Sequence, residues 1–174
     1  METLRDLLEH QKKYNERLYL IPSENSPSIN ARLAFLTDLL NRYYFPLKEH
    51  QNWAFPGNEH IERIYERCIE LLQEAAGAHY VSIKPISGVN AMTIALAALV
   101  KPGETVAAIS PENGGHGITT AIARRLGLRV VYLPYDQTQF KIDISTLPEF
   151  IARERASLIY LNKAHVLFPF QLPE

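Results

Sequence analysis

The stretch ETVAAISPENGGHGITTAIARRLGLRVVYLPY, residues 104–135, decides how the chain folds. It opens on a short apolar strand, ETVAAIS. A turn rich in glycine follows, and then GITTAIARRL, whose apolar residues recur at helical spacing up to Gly127. RVVYLPY is a second strand. A strand, a helix of about ten residues and another strand form the unit of a parallel sheet with a helical crossover. The same alternation extends both ways: HYVSIKP reads as a strand and GVNAMTIALAALV as a helix before it, with LPEFIARER as a helix and ASLIYLN as a strand after it.

Toward the N-terminus the texture is different. Residues 4–18 place Leu4, Leu7, Leu8, Tyr14 and Leu18 near one helical face. Pro22 and Pro27 bracket the polar turn in LYLIPSENSPS. A second helix is expected from Ser26 or Ser28, burying Ile29, Leu33, Leu36 and Leu40. YYFPLKEHQNWAFPGNE has no clear period, which suits a functional loop. Residues 59–76 return to helix, with Ile61, Ile64, Tyr65, Cys68, Leu71, Leu72 and Ala75 inward and Gly77 as its C-cap. The expected organisation is an N-terminal helical arm and active-site loop, 1–58, followed by an α/β region, 59–174. FPFQLPE follows soon after a strand, so the sheet reads as unfinished and its edge as unprotected.

Bulk properties narrow the partners. Of the 174 residues 47% are hydrophobic and 21% charged, which supports a globular core. The net charge is −1 without a basic block, so neither nucleic acid nor an anionic membrane is an implied partner. No apolar run approaches the roughly 20 residues of a membrane span, and the charged N-terminus has no signal-peptide core. Cys68 is the only cysteine, which excludes an internal disulfide and a cysteine-built zinc site. These features predict a cytoplasmic protein.

In an open α/β sheet, ligands gather at the carboxyl ends of the strands. PISGVNAM passes from strand to helix through Ser87 and Gly88. Unpaired N–H groups and the positive dipole end of that helix suit a phosphate, and an ordinary N-cap explains the same pair. The glycines beside His116 leave room for a flat group against the imidazole, or simply form a turn. LNKAHVLFP carries Lys163 and His165 after the last strand. A lysine can bond a carbonyl covalently, but here it is read as a solvated loop residue. No G-x-S-x-G elbow, P-loop, G-x-G-x-x-G or H-E-x-x-H motif is present, so no hydrolase triad, nucleotide fingerprint or metal site is expected.

Taken in order, these segments resemble the serine hydroxymethyltransferase family of fold-type I pyridoxal-phosphate enzymes. LIPSEN at 20–25, PGNEHIE at 56–62, PISGVNAM at 85–92, PGE at 102–104, GGHGITT at 114–120 and PYDQTQFKID at 134–143 carry the resemblance. It implies an aspartate aminotransferase-like three-layer large domain with a parallel-rich sheet and a helical arm, of which this chain is the N-terminal part. It also implies pyridoxal 5'-phosphate as cofactor. Ser87, Gly88 and Val89 would cup its phosphate, Val89 through the backbone N–H alone. His116 would stack on the pyridine ring as the catalytic residue. Ser23 would contact the amino-acid substrate or the facing subunit's ligand, and Glu24 would hold the same turn.

Two departures qualify the resemblance. Counting back from GNE, the family's acid–base glutamate falls on Leu47 and the preceding tyrosine on Phe45, with Glu49 reachable only through a gap. That argues against folate-dependent transfer and favours aldol cleavage, condensation or transaldolation of an amino acid. The family's Schiff-base lysine, its pyridine-pairing aspartate and its carboxylate-binding arginine lie beyond residue 174. The expectation is a half-subunit of a heteromeric transferase or aldolase, inactive alone. A complementary chain would carry the lysine, within a larger hetero-oligomer such as a dimer of heterodimers. The alternative is a non-catalytic scaffold or regulatory subunit paired with a complete homologue.

Overall fold

The computed structural model describes residues 2–46, 48–49, 52–53, 55–165 and 168–170. The chain divides into two compact units, Met1–Leu71 and Leu72–Glu174.

In the first unit, α1 (Glu2–Asn15) is amphipathic in pattern but buries no residue. A 3-10 turn, Pro22–Glu24, carries the SEN segment. Ser28 caps α2 (Ile29–Leu33), its hydroxyl accepting the Ala31 N–H at 3.2 Å. The expected longer helix stops there. Thr37 is extended, takes the Leu39 N–H on its hydroxyl and gives its own proton to the Ala34 carbonyl, which leaves two 3-10 turns. Nor are the expected residues buried: Ile29, Leu33, Leu36 and Leu40 are all exposed, Leu36 to 83%. Their apolar face is not covered by the described residues of this unit. Two-residue strands β1 (Lys48–Glu49) and β2 (Asn52–Trp53) pair antiparallel, giving the aromatic loop some structure of its own. Leu47, the position aligned with the family's glutamate, lies outside the described residues.

The division falls within α3 (Asn58–Ala76). Of its expected inward residues, Ile61, Tyr65 and Cys68 are half-buried, while Ile64, Leu71, Leu72 and Ala75 are exposed. Its end is the one expected. Gly77 takes φ +60°, the Ala78 N–H reaches the Gln73 carbonyl at 3.1 Å and the Gly77 N–H that of Glu74 at 3.4 Å, a Schellman closure.

The second unit carries α4 (Gly88–Leu99), β3 (Thr105–Ala108), α5 (Ile118–Arg125), β4 (Arg129–Tyr132), β5 (Tyr135–Asp136), β6 (Lys141–Ile142), α6 (Leu147–Glu154) and β7 (Ala156–Tyr160). Three strands form a parallel sheet in the order β4-β3-β7. The central strand is buried on both faces, as the apolar run from Val106 predicts, and Thr105 at its start is buried too. Val106 packs with Met92, Leu96, Val100, Ala123 and Leu128, the side of α4 and α5. Ala107 and Ile109 pack on the other side with Leu133, Leu147 and Phe150, the side of α6. Helices thus cover both faces of a small parallel sheet.

Two expectations change here. HYVSIKP forms no strand: residues 79–85 have no ladder partner, Tyr80 is 95% exposed, and only the alternation of half-buried Val81 and Ile83 keeps the strand pattern. A strand needs a neighbour to satisfy its backbone, and this sheet provides none at that position. RVVYLPY is also not one strand. After Tyr132 the Leu133 N–H makes a last bond to the Ala108 carbonyl at 2.9 Å, and Pro134, lacking an N–H, ends the ladder. The chain then turns through the antiparallel β5–β6 hairpin, in which the Asp136 carboxylate accepts the Thr138 and Gln139 N–H groups. No helix among the described residues is long and apolar enough to cross a membrane.

Candidate functional site

The carboxyl ends of β3 and β7 open onto a cavity of about 380 Å³. Ser87, Gly88, Val89 and Met92 line it from the start of α4; His116, Ile118 and Thr119 from the segment after β3; and Tyr160, Leu161, Asn162 and Lys163 from the end of β7. Four residues expected from sequence to act together, Ser87, Gly88, Val89 and His116, therefore share one cavity.

Ser87 is the N-cap of α4, and its hydroxyl oxygen accepts the Asn90 N–H at 3.1 Å. Asn90 returns the favour, accepting the Ile86 N–H at 3.2 Å on its side-chain oxygen. The capping role does not exclude ligand binding, because a serine hydroxyl that accepts one bond still has its proton to donate. Gly88 and Val89 occupy the first turn, where backbone N–H groups have no intrahelical acceptor. A Cβ on Gly88 would meet nothing within 4 Å. Two amides without intrahelical acceptors, a hydroxyl proton and the positive helix end are donors of the kind that suit a phosphate.

His116 lines the same cavity as an exposed side chain, and its position follows from the loop behind it. Pro111–Asn113 make a 3-10 turn that ends on Gly114 at φ +89°. Gly115 runs so close to the strand end that a Cβ would lie 2.0 Å from the Ile109 carbonyl oxygen. These two glycines answer the backbone and not the ligand. Gly117 differs, because its Cβ would meet nothing within 4 Å, so the clearance expected for a flat group remains open there.

Asn162 was not singled out from sequence. It is buried to 5% exposure, and its carboxamide bonds Ile109 and His116 across 53 and 46 residues of chain. An asparagine directly after an apolar strand was the available signal. Lys163, read as a solvated loop residue, is exposed but lines the cavity, and pairs as an isolated bridge with Gly115. Ser23 and Glu24 belong to the first unit, where both are exposed and the Tyr14 hydroxyl donates to the Glu24 carbonyl at 3.2 Å. No group of three metal-ligating side chains converges among the described residues.

Known proteins place this architecture. A solved L-threonine transaldolase from Pseudomonas fluorescens superposes with a TM-score of 0.82 at 26% identity, over 97% of this chain and 40% of that one. An L-threonine:uridine-5'-aldehyde transaldolase from a Streptomyces species is 34% identical over 160 residues, covering 91% of this chain and 37% of that protein. The serine hydroxymethyltransferase of Thermoplasma volcanium is 32% identical over 176 residues, covering 99% and 41%. The chain thus spans about two fifths of the length of these relatives. The serine hydroxymethyltransferase model matches residues 2–158. By that match the chain belongs to the serine hydroxymethyltransferase family, whose members are fold-type I pyridoxal-phosphate enzymes.

Proposed function

We propose that this chain forms one part of a cytoplasmic pyridoxal-phosphate enzyme acting at the Cα of an amino acid, by aldol cleavage, condensation or aldehyde transfer. The observation that carries the proposal is the shared cavity of Ser87, Gly88, Val89 and His116. The residues fit the cofactor: the start of α4 offers donors for a phosphate, and the open sides of Gly88 and Gly117 admit a flat ring beside His116. When bound, pyridoxal phosphate supplies the electron sink for breaking a bond at Cα. This chain's own residues bind and orient. The Gly88 and Val89 amides and the Ser87 hydroxyl hold the phosphate, and the His116 imidazole packs on one ring face, restricting how the substrate can lie. Ser23 contacts the amino-acid substrate or the facing subunit's ligand, and Glu24 holds the same turn.

In this reading the Schiff-base lysine comes from a separate polypeptide that completes the three-layer large domain and assembles into a dimer of heterodimers. Two features support association. The apolar residues of α1 and α2 are exposed, Leu4, Leu7, Leu8, Ile29 and Leu36 among them. Residues 79–85 keep a strand's alternation without a partner strand. Leu47 at the family's glutamate position argues against a folate-dependent transfer.

Titration with pyridoxal phosphate and with phosphate-free pyridoxal tests the cradle. The phosphorylated compound should bind wild-type chain at least about tenfold more tightly, roughly 1.4 kcal/mol, and Ser87→Asp should abolish the preference. Equal binding of the two compounds would refute the phosphate assignment.

A further inference from the structure

We propose that Asn162 is the positioning residue that holds His116 on the cavity rim. Its side-chain oxygen accepts the Ile109 N–H at 2.8 Å, and its side-chain nitrogen donates to the Ile109 carbonyl at 3.2 Å and the His116 carbonyl at 3.3 Å. The backbone closes the arrangement, with the His116 N–H donating to the Asn162 carbonyl at 2.7 Å.

The chemistry selects asparagine. β3 ends at Ala108, so Ile109 has left the regular ladder while still buried. Its N–H and C=O would cost free energy if unpaired. A carboxamide presents a donor and an acceptor in one plane, as a peptide group does, and so adds one more rung to the sheet. Aspartate keeps the acceptor but offers no donor to the two carbonyls. Leucine or alanine offers neither.

The same rung binds the far end of the loop. Ile109 precedes the loop and His116 closes it, so one buried side chain fixes both ends of residues 109–116. The Ala164 and His165 N–H groups both reach the Gly114 carbonyl, at 3.0 and 2.9 Å, and tie the apex to the segment after β7. The imidazole is exposed and has no hydrogen-bond partner among the described residues that would fix it from the solvent side. Its placement relative to Ser87 and Gly88 is therefore inherited from this backbone anchor. The consequence for ligand binding rests on the proposed cofactor site; the anchor itself does not.

Hydrogen exchange and imidazole NMR on the full chain test the anchor without any cofactor. In wild type, the Ile109 and His116 amides should exchange at least about a hundredfold more slowly than that of Gly117. In Asn162→Asp and Asn162→Ala, His116 amide exchange should rise about tenfold or more, and the His116 imidazole resonances should move while those of His60 and His79 stay. Pyridoxal phosphate affinity should fall in the same variants. A folded variant with a lower melting temperature but unchanged His116 resonances and unchanged affinity would make Asn162 merely structural and overturn the proposal. Should neither variant fold, an unprotected Ile109 amide in wild type, the one bonded to the Asn162 side chain, overturns it and a protected one upholds it. If wild type binds no pyridoxal phosphate while the exchange and imidazole results hold, the cofactor reading fails and the anchor stands.

Discussion

Ser87 and Asn90 cap each other's turn: the Ser87 hydroxyl accepts the Asn90 N–H, and the Asn90 side chain accepts the N–H of Ile86, next to Ser87. Stability and ligand binding therefore meet at one hydroxyl, and two substitutions separate them. Ser87→Ala should cost about 1 kcal/mol of stability through the lost cap, and should also weaken pyridoxal phosphate binding. Ser87→Asp retains a capping oxygen and should keep the melting temperature, yet its charge should repel the phosphate. Thermal melts paired with cofactor titration check both. Phosphate binding that survives Ser87→Asp would remove the anion from this site.

The neighbouring glycines differ in what they do. Gly115→Ala drives a Cβ into the Ile109 carbonyl, and should destabilise by about 1–3 kcal/mol or more. Gly117→Ala meets no atom within 4 Å and has φ −59°, so it should change stability by less than about 1 kcal/mol. If a flat ring lies against His116, Gly117→Ala should still weaken its binding. Denaturant melts and ligand titration of the two variants distinguish backbone need from ligand clearance.

Leu96 is fully buried where α4 packs on Val106 of the central strand. Leu96→Ala should cost about 2–5 kcal/mol, read as a lower denaturation midpoint with unchanged slope. A cost below the lower bound would mean that this side of the sheet is not the unit's core.

Acid stability has a local source at the start of α6. The Asp143 carboxylate accepts from the Ser145 hydroxyl, the Thr146 hydroxyl and the Ser145 N–H, and these bonds, led by Ser145, hold its pKa below the usual value. A depressed folded-state pKa stabilises above the unfolded value, near about 3.9, and that stabilisation is lost as pH falls through the folded value. Asp143→Asn should therefore flatten part of the acid limb of melting temperature against pH. Part of it persists through Glu154, whose pKa is lowered first by Arg129 and then by Arg153, and through Asp38, whose pKa is lowered by its bond from Arg42. Superimposable acid limbs would contradict the assignment.

The α/β core was legible because Val106–Ile109 is an apolar run lying between the helices α4 and α5, the second of which gives way to a left-handed Gly127. The rule that ligands collect at strand ends pointed to Ser87, Gly88 and His116, and the family resemblance added Val89 and joined the four into one site. What failed were features that need a neighbour. HYVSIKP has a strand's sequence, but a ladder requires a second strand. Residues 29–40 have an apolar helical face, yet no described residue of their unit buries it, and Thr37 offers its hydroxyl to the turn instead. Asn162 escaped notice because its importance lies in a bond across 53 residues, which local pattern does not encode.

The most direct measurement compares amino-acid cleavage by the assembled enzyme, co-expressed with a lysine-bearing partner polypeptide, with and without His116→Ala in this chain. The account predicts that the assembled wild type shows the cofactor's visible absorbance, and that His116→Ala lowers turnover by on the order of tenfold to a hundredfold. Unchanged turnover in His116→Ala would contradict it and make this chain a scaffold for a site built elsewhere.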